Sequence, residues 1–317
     1  MIRIGIVGYG NLGKSIKKGI EASSDMEVAG IFSRRKLDLD LYRPFSDIEK
    51  YKDDIDLLIL CGSSDKDILS QGPRLLSSFN TLDSFDNHGK IREYFYQMDE
   101  IGKENDTLAL ISTGWDPGLF SLNRVLGVAI LRDGNSYTLW GKGVSQGHSA
   151  AVRSVEGVLD AIQYTIPKDE VLEKIRNGEV FNFDSHKAHL REVYVVIADG
   201  ADRKTIEEEI KNMPDYFAPY QTQVHFISQE DLDKNHKTMV HGGHVMTRGK
   251  ACGDSQALIE FNLDLKNNPD FTAAVDIAYA RALYRMSKEG KTGAITVLDV
   301  APKHLSEKSY DDLIDLI

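Results

Sequence analysis

Three groups of residues in this chain combine types and spacings that can do chemistry. Gly8, Gly10 and Gly13 fall in the order G-x-G-x-x-G, with Asn11 and Leu12 between the last two, directly behind the apolar run of Ile2, Ile4, Ile6 and Val7. In a strand–turn–helix unit the first glycine makes the sharp turn, the second lets a pyrophosphate reach the backbone without meeting a Cβ, and the third lets the helix lie against the strand. Free N–H groups at the helix start then hold the phosphates. The alternative is an ordinary turn in some other α/β domain. Ser33, Arg34 and Arg35 form the second group. NAD-specific proteins carry an acid here for the ribose hydroxyls; two guanidinium groups and a hydroxyl instead suit a 2′-phosphate, which points to NADP. The alternative is a solvated basic turn. Asp86 and Asp116 are the third group, with Trp115 beside the latter. Two carboxylates near a nicotinamide suit a substrate ammonium group, and mutual repulsion raises at least one pKa toward that of a useful base. Asp also makes turns and helix caps after strands, and spacing alone leaves both readings open.

These residues need a parallel sheet to bring them to one edge. The apolar run at the start is the first strand, a helical stretch follows over 14–22, and MEVAGIF at 26–32 is the second strand. DLLILC at 56–61 is a third, nearly all apolar and so covered on both faces. Gly62, Ser63 and Ser64 follow it, and with Cys61 they stand where the ligand crevice of a doubly wound sheet lies. Cys61 also suits a core position, and the serines also suit a polar loop capping a helix from Asp65. Strands over 79–85 and 107–112, separated by a helical segment through Glu104, deliver Asp86 and Asp116 to the same edge of the sheet.

Beyond Gly118 the pattern changes. A helix over 119–131 leaves the first domain, and SYTLWGKG followed by QGHSAAVRS begins new material with β-pattern and glycine. Strand-like stretches near 160–166, 190–198, 221–227, 244–247 and 257–265, with helices near 168–177 and 202–212, predict one open mixed or antiparallel sheet with helices on one face. A long helix over 269–289 then places Phe271, Val275, Ala278, Ala282, Leu283 and Met286 on one face, with Pro269 in its first turn and Gly290 as its stop. A strand-like AITVLDV over 294–300 returns to the first domain. The expected fold class is α/β: a Rossmann-type dinucleotide-binding domain from 1–118 and 270–317, and a second, α+β domain over 119–269.

Composition narrows the function classes. The 317 residues suggest about two domains, and 38 basic against 49 acidic residues give a net charge of -11. That balance argues against nucleic acid or an anionic membrane as a partner. Without a long uncharged apolar run or a leader pattern, the expected compartment is the cytoplasm. Cys61 and Cys252 lie far apart with no ligand spacing, and His241 with His244 lacks a third partner, so no metal is expected.

Longer phrases carry a family likeness. STGWDPGLFS (112–121), LWGKGVSQGHS (139–149), MPDYF (213–217), HGGHV (241–245) and NPDFTA (268–273) closely resemble the meso-diaminopimelate D-dehydrogenases, and the likeness runs from the glycine loop to VLDVAP near the C-terminus. The resemblance implies a homodimeric bacterial enzyme of lysine and cell-wall precursor metabolism, whose second domain binds substrate and dimerises. It would convert meso-2,6-diaminopimelate, water and NADP+ reversibly to L-2-amino-6-oxopimelate, ammonium and NADPH. On the matching positions, Asp86 and Asp116 would surround the reacting amino group and Trp115 and Trp140 would form walls. Gln146, Gly147, His148 and Ser149 would lie near that centre. Thr165, Arg191, His241 and Asn268 would hold the distal L-centre, and Arg191 suits a carboxylate on physical grounds alone. Two other readings stand beside this one: another two-domain NADP-dependent sugar or hydroxy-acid oxidoreductase, though no E-K-P-type lysine follows the apolar strands, and a non-enzymatic NADP-binding sensor.

Overall fold

The computed structural model of the chain describes residues 1–214 and 216–317, with the side chain of Asp65 outside the description. Asp215, inside MPDYF, therefore lies outside the described residues. The chain forms two compact units, Met1–Leu122 with Pro269–Ile317, and Asn123–Asn268.

In the first unit, β1 (Ile2–Val7) leads through the glycine loop into α1 (Asn11–Glu21), followed by β2 (Met26–Ser33), β3 (Tyr42–Pro44), β4 (Leu57–Leu60), α2 (Leu69–Leu76), β5 (Thr81–Asp83), α3 (Ile91–Glu104) and β6 (Leu108–Leu110). A π-helical turn, Ser64–Ile68, precedes α2 where a helix from Asp65 is expected. Helix α4 (Leu119–Ile130) carries the chain into the second unit.

There β7 (Arg132–Trp140), β8 (Gly143–Val144), α5 (Gln146–Arg153), β9 (Val158–Pro167), α6 (Asp169–Asn177), α7 (Ser185–Ala188), β10 (His189–Ile197), α8 (Arg203–Lys211), β11 (Gln221–Phe226), α9 (Gln229–Asn235), β12 (His241–Lys250) and β13 (Gln256–Leu265) follow in order. The chain then enters α10 (Asn268–Lys288), β14 (Gly293–Ile295) and α11 (Tyr310–Ile314).

The first unit is a seven-stranded parallel sheet of order β14-β6-β5-β4-β1-β2-β3. Alternation along the strands explains how both faces are buried. Ile4, Ile6, Leu57 and Ile59 pack on one side with Ile16 and Ile20 of α1 and with Ala280 and Leu283 of α10. Val7, Leu58 and Leu60 pack on the other with Leu75 of α2 and Tyr94 and Met98 of α3. Each fully buried aliphatic side chain contributes about 1.5–3 kcal/mol to folding.

The second unit corrects one expectation. Instead of one open sheet it holds two: a mixed sheet β11-β10-β9-β8 and an antiparallel sheet β13-β12-β7. Each has its own core. Val193 and Val195 pack with Val152 of α5 and Ile206 and Ile210 of α8, while Leu139 and Met246 pack with Leu172 and Ile175 of α6. The stretch expected as one strand over 294–300 also divides. β14 stops at Ile295, and Thr296 caps a 3-10 turn, Val297–Asp299, through a reciprocal box with Asp299.

Candidate functional site

The order of the first sheet reverses between β1 and β4, and the carboxyl ends of those strands deliver Gly8 and Cys61 to one crevice. Gly8 has φ +95°, and a Cβ there would stand 3.3 Å from the Cys61 carbonyl oxygen. A Cβ on Gly13 would stand 2.3 Å from the carbonyl oxygen of Gly8, so α1 lies directly on the loop. Around the corresponding position on Gly10 no atom beyond its immediate chain neighbours lies within 4 Å. Asn11 and Leu12 open α1, whose N-cap, Gly10, offers no capping side chain. The crevice is a cleft of about 420 Å³ lined by this loop, Ser33, Arg34, Arg35, Cys61, Gly62 and Ser63. That size suits a small organic ligand or part of a dinucleotide. Burial pushes the Cys61 thiol well up, so it is a neutral wall there.

The basic pair is not equivalent. Arg34 is bound to Asp67 at 2.7 Å, and Asp67 also accepts from the Ser63 N–H and hydroxyl at 3.1 and 3.2 Å. Burial alone would raise the Asp67 carboxyl, but these donors hold it below its ordinary range. Arg35 instead lies between the cleft and a neighbouring hollow lined by Lys14, Lys36 and Asp38, a setting with more cations than anions that suits a phosphate. The Ser64 hydroxyl accepts from the Asp86 N–H at 3.2 Å.

Asp86 and Asp116 follow the adjacent parallel strands β5 and β6, so both stand beyond the same edge of the sheet. Asp86 is exposed and Asp116 half-buried. Trp115 is buried, edge-on to Phe120 with ring centroids 5.2 Å apart. Under these loops lies Asp83, fully buried, which accepts from the N–H of Phe85 at 3.0 Å, from the N–H of Ser112 at 3.1 Å and from the Tyr94 hydroxyl at 2.8 Å.

In the second unit the register brings three of the proposed distal residues, Thr165, Arg191 and His241, to one strand pair. Thr165 of β9 stands opposite both Arg191 of β10 and Gly143 of β8. The Arg191 guanidinium donates to the Thr165 hydroxyl and lies 3.9 Å from the centroid of the Tyr220 ring. A Cβ on Gly143 would meet the His241 ring at 2.6 Å, which puts that imidazole beside the same strand pair. Asn268 follows β13, its N–H donating to the Met239 carbonyl at 2.9 Å. Arg191 is 7% exposed, its Nε has no partner, and among the described residues no carboxylate pairs with it. Burial draws its pKa down. A buried cation without an anion is costly, and a bound anion would offset that cost.

QGHSAAVR, expected as β-like material, is the helix α5, capped by the Ser145 hydroxyl, which accepts from the His148 N–H. Gln146 and Gly147 are exposed in its first turn. The Ser149 hydroxyl is fully buried, donating to the Ser145 carbonyl at 2.7 Å and accepting from the Gln163 N–H at 3.0 Å. Burial and then the Arg191 charge lower His148 to about 4, so it is neutral at physiological pH. Trp140 is half-buried and stacks on His189 with centroids 5.9 Å apart. The Trp140 backbone N–H donates to His189 Nε2 at 2.9 Å, while His189 Nδ1 lies 2.7 Å from the Ser185 carbonyl, which fixes one neutral tautomer. His244 lies 3.2 Å from Glu260, and among the described residues no group of three His, Cys, Asp or Glu is arranged to hold a metal.

Sequence reasoning overlooked Asp67, Asp83, His189 and Tyr220. Asp67 sits one helical turn after Ser63 and was within reach of a capping argument. Tyr220 meets Arg191 only through the parallel pairing of β11 with β10, which no local pattern announces.

A parallel doubly wound sheet with a glycine cleft at its reversal point defines a Rossmann-type dinucleotide-binding protein. Residues 114–267 match the family model described as the diaminopimelic acid dehydrogenase C-terminal domain. The chain is 49% identical over 319 residues, 98% of each chain, to the meso-diaminopimelate D-dehydrogenase of Ureibacillus thermosphaericus. Among solved structures it is similar to the Corynebacterium glutamicum DAP dehydrogenase in complex with DAP, at 46% identity and a TM-score of 0.88 over 99% of this chain and 98% of that one. It is also similar to an engineered D-amino acid dehydrogenase bound to NADP+, at 44% identity and a TM-score of 0.83, with the same coverage. The chain belongs to the meso-diaminopimelate D-dehydrogenase family.

Proposed function

We propose that the protein catalyses the reversible NADP-dependent oxidative deamination of the D-centre of meso-2,6-diaminopimelate to L-2-amino-6-oxopimelate and ammonium. The observation that carries this reading is Arg191, a buried guanidinium with no carboxylate partner among the described residues and an unpaired Nε, set against a hydroxyl and an aromatic face. It suits the distal carboxylate of a two-ended amino acid, and the relatives in complex with DAP and with NADP+ support the same substrate and cofactor.

NADP+, when bound, supplies the hydride acceptor. Gly8, Gly10 and Gly13, with Asn11 and Leu12, would take its pyrophosphate. Arg35, with Arg34 and Ser33, would take the 2′-phosphate, and Cys61, Gly62 and Ser63 would line the cleft, while Ser64, expected there too, instead meets the Asp86 N–H. Asp86 and Asp116 would draw the proton from the substrate ammonium, because the amine must be neutral before its carbon loses hydride. Trp115 and Trp140 would wall the reacting carbon, with Gln146, Gly147 and Ser149 near it. Thr165, Arg191, His241 and Asn268 would hold the distal end and fix the carbon to be oxidised, using binding away from the reaction for orientation. Water adds to the resulting imine and ammonium leaves.

The chain would act as a homodimer in lysine and cell-wall precursor metabolism. Val125, Leu126, Val128 and Ile130 of α4 are 44–63% exposed, an apolar surface that supports association. Cys61 and Cys252 are free thiols, which suits the reducing cytoplasm. Among the described residues no helix is long and apolar enough to cross a membrane. The reaction is tested by stoichiometry: each NADPH formed from meso-diaminopimelate releases one ammonium. NADPH formation without ammonium would rule out deamination.

A further inference from the structure

Asp276 of α10 is fully buried, and its carboxyl reaches two different strand-end loops. Oδ2 lies 2.8 Å from the Ser84 hydroxyl, two residues before Asp86, and Oδ1 lies 2.8 Å from the Thr113 hydroxyl, three residues before Asp116. The Thr113 hydroxyl also lies 2.8 Å from the Asp83 carbonyl, and the Thr113 N–H donates to the same carbonyl at 2.9 Å. Next to Thr113, Ser112 holds φ +55°, a left-handed conformation uncommon for a residue with a Cβ. We propose that Asp276 is a positioning residue that ties the loop after β5 to the loop after β6 and so sets Asp86 and Asp116 for proton transfer. The inference rests on the reading that those two aspartates serve the reacting amine.

The Thr113 hydroxyl has two acceptors within reach, Asp276 Oδ1 and the Asp83 carbonyl, and the neutral acid is the form of Asp276 that lets both contacts be hydrogen bonds at once. The Thr113 hydroxyl carries one hydrogen, and a carbonyl can only accept. If that hydrogen goes to the Asp83 carbonyl, the contact with Asp276 Oδ1 is a bond only when the carboxyl donates. The neutral acid then gives to Thr113 and accepts from Ser84, and every group is satisfied. The ionised form would be a buried charge with two hydroxyl donors and, among the described residues, no paired cation. Among the described residues the titratable groups that interact with it are Asp83 at the end of β5 and Cys61 after β4, both anionic when ionised. Burial first, then the Asp83 charge, pushes the Asp276 carboxyl up to about 7 against the two hydroxyl bonds.

Asparagine reproduces the neutral acid: its amide donates to Thr113 and its oxygen accepts from Ser84. Assayed below pH 7, where the Asp276 carboxyl is mostly protonated, D276N should keep kcat within about threefold of the wild type, whereas D276A should lower kcat by about tenfold or more with the KM for NADP+ little changed. In D276A, hydrogen exchange over 84–88 and 112–118 should quicken by about tenfold or more, and in D276N it should stay slow. T113V, which removes only one hydroxyl, should match D276A in direction if D276A does not fold. An unshifted kcat in D276A or T113V, or a loss in D276N equal to that in D276A, would overturn the proposal. The exchange measurement needs no turnover, so an inactive wild type with protected loops would count against the dehydrogenase reading and leave the tie standing.

Discussion

Arg191→Ala should separate the two ends of the substrate. The guanidinium can offer up to two charge-assisted hydrogen bonds to a carboxylate, at about 1.5–3 kcal/mol each, or roughly 3–6 kcal/mol together. That corresponds to a loss of roughly 10²–10⁴-fold in kcat/KM for meso-diaminopimelate, since about 1.4 kcal/mol is tenfold. D-Alanine has no distal carboxylate, so its low turnover should stay within about threefold of the wild-type value. A second measurement uses the cost of burying an unpaired cation. Arg191→Met keeps most of the side-chain volume and removes the charge, so the ligand-free variant should melt no lower than the wild type, and higher by roughly 2–4 °C for each kcal/mol of burial cost removed. Steady-state NADPH formation with both substrates and a thermal melt suffice. Equal losses on the two substrates, or a lower melting temperature in Arg191→Met, would refute the reasoning and make Arg191 a structural residue.

Gly10→Ala places a methyl in space that is open in the protein, so it should melt with the wild type while the KM for NADP+ rises by about tenfold or more. Gly13→Ala meets the Gly8 carbonyl and should lose both stability and cofactor affinity, read by the same melt and titration. Arg35→Ala should reduce the preference for NADP+ over NAD+ by about tenfold or more, from paired kcat/KM values with the two cofactors. Of Asp86→Asn and Asp116→Asn, at least one should lower kcat by about 10²-fold; both remaining within a few-fold would remove the proton-transfer assignment. Below pH 4 the wild type and Asp276→Asn should be equally stable. As pH rises toward 7 the wild type should lose stability relative to Asp276→Asn, because its folded carboxyl titrates near 7 while the unfolded one has already ionised, whereas the raised Asp83 carboxyl is common to both proteins. Parallel melting curves through pH 8 would contradict the neutral acid.

The parallel sheet was legible because its determinants are local. The glycine spacing, the β-branched run before it and the nearly continuous apolar strand at 57–60 each specify their own conformation. The two sheets of the second unit were not legible, because β7 pairs with β12 across about a hundred residues, and one alternating pattern fits either partner. α5 escaped because it is eight residues long and begins Gln-Gly, which leaves little helical period to read. The break at Thr296 was available in principle, since Thr and Asp three apart form a capping box, but the surrounding apolar residues outweighed it. Among candidate site residues, Asp86, Asp116 and Trp115 stood out by type and by following strands. Asp276 did not. It lies on a helix buried nearly all round, where an apolar stripe hides a polar residue facing inward.

The most direct test of the central claim is NADPH formation at mildly alkaline pH with meso-, LL- and DD-diaminopimelate, D-alanine and glucose in parallel, repeated with NAD+. Turnover that strongly favours the meso isomer with NADP+ is the expected result. D-Alanine turned over as well as meso-diaminopimelate would contradict the distal clamp, and tight NADP+ binding with no turnover of any substrate would contradict the enzyme itself.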